Sequence, residues 1–211
     1  MSSQLVLPLE PRNAMTRADF IEAPGNARAF AFLARWPDWP EPAAALWGPS
    51  ASGKTHLAHI WALHSNAVLA DARSLRESIA GPAVVENCDS VTSSDHEPAL
   101  FAMLERRTPL LLTGRAAPAQ WQVSLPDLAS RFRAQVAFEL GQADEGLLMA
   151  LAVKLFADRQ VTVPETVVTR LVQGLERSPA AIRDFIARAD REALSRQKPI
   201  NLQLIRELMA E

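Results

Sequence analysis

The stretch Leu46-Trp47-Gly48-Pro49-Ser50-Ala51-Ser52-Gly53-Lys54-Thr55-His56-Leu57 constrains this chain more than any other. From Gly48 to Thr55 it satisfies G-x-x-x-x-G-K-[ST], with the apolar run Ala43–Leu46 before it. After it, Leu57, Ile60, Trp61 and Leu63 recur at close to helical spacing. Strand, glycine-bearing loop and helix follow in the order a phosphate requires. Glycines let the backbone curl so that successive N–H groups face one point, and the helix N-terminus adds partial positive charge there. Gly48, Pro49, Ser50, Ala51, Ser52, Gly53, Lys54, Thr55 and His56 are therefore the expected nucleotide-lining residues. Lys54 is expected to reach the β- and γ-phosphates, and the Thr55 hydroxyl to help hold Mg²⁺.

The chain around this loop alternates in the same way. The runs 67–72 (AVLADA), 82–88 (PAVVENC) and 109–115 (PLLLTGR) read as three further short buried strands with polar ends. Residues 74–79 (SLRESI) and 97–107 (EPALFAMLERR) read as helices. Pro24-Gly25-Asn26 marks a turn, with Asn26 as N-cap of a helix over 27–35, and Pro37, Pro40 and Pro42 break the chain beyond it. Strands alternating with helices imply an α/β fold with a parallel sheet covered on both faces. From about Gln142 strand signals disappear. Four helical segments follow, with Asp144 and Ser178 as N-caps and Pro164 and Pro179 near helix starts. The expected division is an extended peptide over 1–12, an α/β nucleotide-binding domain over 13–141 and a helical lid over 142–211.

At 211 residues, 48% hydrophobic and 22% charged, the composition is that of a globular chain rather than a disordered one. A net charge of −2 supplies no global positive field, so nucleic-acid binding would need a local basic patch. The one cysteine, Cys88, excludes an internal disulfide framework and fits a reducing compartment. The N-terminus lacks the basic region and uninterrupted apolar run of a signal peptide, and no apolar run is long enough to cross a bilayer. A cytoplasmic location without membrane partners is expected.

Phosphate-loop chemistry also needs an acid at the end of a neighbouring strand. In 83–90 (AVVENCDS) that acid is Glu86, which can hold a Mg²⁺ water shell. Asn87 follows it, and an amide cannot serve as general base for an attacking water, so slow intrinsic hydrolysis is expected. The run 125–133 (LPDLASRFR) offers Arg131, an arginine near the domain edge where it could enter a neighbouring subunit's site. His56, His59 and His64 have no Cys or Glu at metal-site spacing, and read as helix-face residues rather than metal ligands.

Taken in order, WGPSASGKTHL, PLLLTGR, LPDLASRF and the helical C-terminal part resemble the DnaA-related AAA+ ATPases, a P-loop NTPase family. GKTHL and PDLASR are most similar to its Hda (HdaA) branch, the homologues that switch the initiator off. The resemblance runs from about Asp19 to the C-terminus. It implies ADP or ATP with Mg²⁺ at the loop, Glu86 as the metal-anchoring acid, Thr113 as a γ-phosphate sensor and Arg183 as a second sensor on the lid. It implies that Arg131 is an arginine finger acting on ATP bound to DnaA. Glu86-Asn87 departs from the Asp-Asp pair of DnaA, which weakens any expectation of self-contained turnover.

The opening Gln4-Leu5-Val6-Leu7-Pro8-Leu9-Glu10 fits an extended peptide better than a central strand, since Pro8 removes a donor and Pro11 follows closely. Leu5, Leu7 and Leu9 alternate, and Gln4 offers an amide, so the segment could seat side chains in a partner's pockets; an edge strand on its own domain is the alternative. The same resemblance makes Gln4, Leu5, Leu7, Pro8 and Leu9 a docking peptide for the β sliding clamp of DNA polymerase III. No helix-turn-helix or basic recognition helix follows the lid, so contact with DNA is expected only through the clamp. The expected function is negative regulation of replication initiation, through hydrolysis of DnaA-bound ATP, with room for a homo-oligomer. An AAA+ adaptor that recruits DnaA or helicase, and an autonomous P-loop phosphotransferase, are the alternatives.

Overall fold

Alternate residues of the central strands feed two different cores. The computed structural model describes residues 15–90 and 94–210, so the peptide Gln4–Leu9 lies outside it. Five strands, β1 (Ala43–Trp47), β2 (Val68–Asp71), β3 (Ala83–Glu86), β4 (Leu110–Gly114) and β5 (Val136–Glu139), form one sheet in the order β2-β3-β4-β1-β5. All pairings are parallel. Ala45, Val85, Leu110 and Leu112 face a core shared with Leu100, Met103, Leu128 and Phe132. Ala44, Leu46, Val84 and Leu111 face another, with Phe32, Leu33, Leu57 and Trp61. The first core is covered by α3 (Glu97–Glu105) and α4 (Pro126–Ala134), the second by α1 (Ala27–Ala34) and α2 (Lys54–Ser65).

The helices α5 (Glu145–Ala157), α6 (Glu165–Gly174), α7 (Pro179–Ser195) and α8 (Leu202–Ala210) bury a third cluster of their own, including Leu148, Phe156, Leu171, Ile182, Ile186 and Ile205. The Asp144 carboxylate accepts the Leu147 N–H at 2.7 Å and the Ser178 hydroxyl accepts the Ala181 N–H at 3.1 Å, as expected of N-caps. No helix among the described residues is long and apolar enough to cross a membrane.

Four sequence expectations need correction. Residues 74–79 are not a helix. Asp71 captures the chain there, accepting the Arg73 N–H on its carboxylate and the Ser74 N–H on its carbonyl, and Leu75 turns into the core. A fifth strand, β5, follows α4 directly, and its half-exposed alternation on a sheet edge hides the apolar signal. β2 is not a buried strand but the opposite edge, with Val68 and Leu69 50% and 45% exposed. Asn26 precedes α1 but does not cap it: its side chain accepts the Ala23 N–H at 2.9 Å and donates to the Ile21 carbonyl at 3.1 Å, tying the turn before the helix.

Candidate nucleotide-binding site

The loop leaves the carboxyl end of β1, which lies between β4 and β5, and enters α2. In a parallel sheet this is where a crevice opens. Gly48 has φ +146, and a Cβ there would lie 2.1 Å from the Leu140 carbonyl oxygen, so no other residue fits. Ala51 and Gly53 also take positive φ, curling the chain into a hollow before α2. The first N–H groups of α2 have no intrahelical acceptors and face that hollow. The Lys54 ammonium sits inside it, donating to the carbonyls of Gly48 at 2.7 Å and Pro49 at 2.6 Å and to the Ser52 hydroxyl at 3.3 Å. Burial holds its pKa below the usual lysine value, against the pull of the Asp89 and Glu86 carboxylates.

The acid lies beside the helix start. The Thr55 hydroxyl donates to Glu86 Oε1 at 2.8 Å, so an alcohol and a carboxylate from α2 and β3 meet at one point. Asn87 takes the left-handed conformation at φ +61 and donates its amide to Asp71 Oδ2 at 2.7 Å. Arg73 also bonds that carboxylate and, as the leading cause, holds Asp71 well below the ordinary carboxylate range. Asn87 is thus committed to a structural bond. Thr113 is buried in β4, level with Leu46 of β1, and its carbonyl accepts the Cys88 N–H at 2.9 Å.

A cleft of about 200 Å³ continues from the loop toward the C-terminal helices. Ala51–His56 form one wall, Leu147 and Leu151 of α5 another, and Pro179, Ala180 and Arg183 of α7 a third. Phe20, Ile21 and Asn26 close the remaining side. Arg183 is partly buried, and among the described residues no hydrogen bond or ion pair engages its guanidinium; burial lowers its pKa, and the field of Asp19 acts the other way. His56 is buried, its Nε2 lies 3.0 Å from the Thr16 carbonyl oxygen, and its ring stands edge-on to Phe20 at 5.3 Å. Burial pushes its pKa down. Lys154 of α5 reaches Asp19 at 3.5 Å, so the segment 16–21 is tied to both sides of the cleft.

Ala51–His56 and Arg183 therefore converge on the cleft, and Glu86 meets them through its bond to Thr55, while Gly48, Pro49 and Ser50 of the loop and Thr113 in β4 do not line it. Arg131 is elsewhere. It sits in the last turn of α4, its side chain 38% exposed, paired with Glu105 and 5.2 Å from the Phe101 ring centroid. Sequence reasoning missed Asp19, Phe20, Ile21, Asn26, Leu147, Leu151, Pro179 and Ala180 as cleft residues. The one usable signal was the apolar pair Phe20-Ile21 lodged between Asp19 and the Pro-Gly-Asn turn; Leu147 and Leu151 at i, i+4 look like ordinary core.

No protein-family profile matches the chain. Solved structures do resemble it. Domain III of the Thermotoga maritima replication initiation protein DnaA matches with a TM-score of 0.74 at 16% identity, over 96% of this chain and 97% of that one. AMPPCP-bound DnaA from Aquifex aeolicus matches with a TM-score of 0.63 at 13% identity, over 81% and 63%. The Thermotoga maritima RuvB Holliday junction branch migration motor matches with a TM-score of 0.69 at 18% identity, over 93% and 71%. With the parallel sheet, the loop and the helices over it, these likenesses define the fold: a P-loop NTPase fold of the AAA+ type. Within that class it is DnaA-like in shape over nearly its whole length.

Proposed function

We propose that this protein binds an adenine nucleotide, ADP or ATP, in the cleft and acts on a second nucleotide held by another AAA+ protein. The second nucleotide is ATP on DnaA, its hydrolysis is promoted by Arg131, and the outcome is negative regulation of replication initiation. Docking on the β sliding clamp through Gln4, Leu5, Leu7, Pro8 and Leu9 brings the protein to DNA.

The residues present fit the nucleotide. Lys54 and the loop N–H groups suit phosphate oxygens, and Lys54 would exchange the carbonyls of Gly48 and Pro49 for them. Arg183 is a cation without a partner among the described residues in the same cleft, which suits it to a phosphate-sensing role. Thr55 and Glu86 would hold Mg²⁺, which neutralises phosphate charge when bound. Thr113 would report on the γ-phosphate from the strand below.

One observation carries the action in trans: the two arginines are divided between two faces. Arg183 belongs to the chain's own cleft, whereas Arg131 stands outside it on the surface of α4. Asn87, spent on Asp71, supports weak turnover by the protein alone. The test is hydrolysis of DnaA-bound ATP with clamp loaded on DNA. Arg131→Ala is expected to bind the clamp normally and to lose about 10³-fold of the stimulation, the scale of an arginine finger. Full stimulation by that variant overturns the reading.

A further inference from the structure

Helix α3 grips both ends of the helix that carries Arg131. Glu97, its first residue, is 3% exposed, and its two carboxylate oxygens accept the backbone N–H groups of Ser124 at 2.7 Å and Leu125 at 2.8 Å. Those donors immediately precede α4, where an anion is favoured by the unsatisfied N–H groups and the helix dipole. At the far end of α3, Glu105 pairs with Arg131, and Phe101 lies under the guanidinium at 5.2 Å. Three side chains of one helix therefore fix where α4 starts and where its arginine points. None of them lines the nucleotide cleft.

The two contacts differ in kind. Glu97 is buried, and both its bonds are to backbone, so it holds the helix itself; removing an acceptor would leave a buried donor unmade. Glu105 is half-exposed, and its bond is to a side chain that is itself partly exposed, so water and salt screen it and a stronger anion can replace it. A triphosphate carries more charge than one carboxylate and offers a guanidinium several acceptor oxygens.

We infer that α3 mounts the finger at two points: Glu97 is a positioning residue that sets the register of α4, and Glu105 is a resting counter-ion that an incoming phosphate displaces from Arg131. The inference rests on the trans role given to Arg131 above. Its signature is a split between the two carboxylates. Glu97→Gln lowers maximal stimulation of DnaA-ATP hydrolysis about tenfold while half-saturation stays within about twofold, because the finger is misplaced once bound. Glu105→Gln leaves the maximum alone and lowers the half-saturating DnaA concentration about two- to fivefold, the scale of an exposed pair.

Two further measurements make the result independent of the partner. Amide hydrogen exchange at Ser124 and Leu125 in the full chain should quicken at least about tenfold in Glu97→Gln. The Arg131 Nε–H resonance, assigned by its loss in Arg131→Lys, should move in Glu105→Gln. If Glu97→Gln fails to fold, Leu125→Pro removes one donor at φ −82, which proline accepts, and should lower the maximum in the same direction. Unchanged exchange and an unchanged maximum overturn the Glu97 half. An unmoved resonance with unchanged half-saturation overturns the Glu105 half. If Arg131→Ala keeps full stimulation, the trans reading fails instead, and exchange and resonance alone judge the mount.

Discussion

The cleft and the α3–α4 face each present an arginine, and they present it in opposite states. Arg183 is partly withdrawn from water and has no hydrogen-bond or ion-pair partner among the described residues. Arg131 is at the surface with a carboxylate and an aromatic ring beside it. Withdrawing a cation from water is costly, and here only the field of Asp19 opposes that cost, so an anion bound in the cleft would compensate Arg183 further. Arg131 is already satisfied and gains only if something more anionic arrives. On the function proposed above, burial and pairing, rather than residue type, separate a cation suited to the chain's own ligand from one that would be offered to a partner.

The comparison breaks or sharpens on substitutions at the two faces. Lys54→Ala has the largest expected effect: nucleotide affinity measured by calorimetry should fall about 100-fold or more, as when one member of a buried charge pair is truncated. Arg183→Ala should weaken nucleotide about tenfold without lowering the melting temperature of the nucleotide-free protein, because it deletes a partly buried cation that lacks a partner. Arg131→Ala should leave nucleotide affinity within about twofold; if it weakens nucleotide as much as Arg183→Ala does, the two faces are not distinct.

The smallest effect is one of pH. Burial disfavours protonation of His56, so the unfolded chain takes up this proton near the ordinary value of 6.5 and the folded chain only below it. In that window the unfolded state binds more protons, and stability falls as pH falls. Urea midpoints measured downward from pH 7.5 should decline below about 6.5. His56→Gln should flatten that decline by at most about 1.4 kcal/mol per pH unit.

The unit β1–loop–α2 was legible because its chemistry dictates its residues: Gly48 has no room for a side chain, and Lys54 must lie at the helix start. The N-caps Asp144 and Ser178 were legible for the same reason, a short polar side chain facing bare N–H groups. Where the outcome depends on distant partners, local pattern failed. Asn26 has the type and place of a cap, yet the turn at Ile21–Ala23 claims its amide. Residues 74–79 have helical spacing, but the chain closes tight turns there, Ser74 N–H to the Asp71 carbonyl and Leu75 N–H to that of Ala72, and burial draws Leu75 into the core. In β5, edge position erases the apolar run. The far walls of the cleft were hidden because Phe20, Leu147 and Leu151 are chemically indistinguishable from core until α5 and the N-terminal segment come together.

The short segment from Thr16 to Ile21 behaves as a tie-rod. One attachment, at the Thr16 carbonyl, is bolted to the helix that begins at Lys54; the others, Asp19 on the Lys154 ammonium and Ile21 against the apolar cluster of α5–α8, hold the bundle. Any displacement of the bundle from the sheet has to stretch these contacts. Movement of those helices and the position of the segment from Thr16 to Ile21 are thus geared together, along the wall of the cleft that Phe20 and Ile21 form.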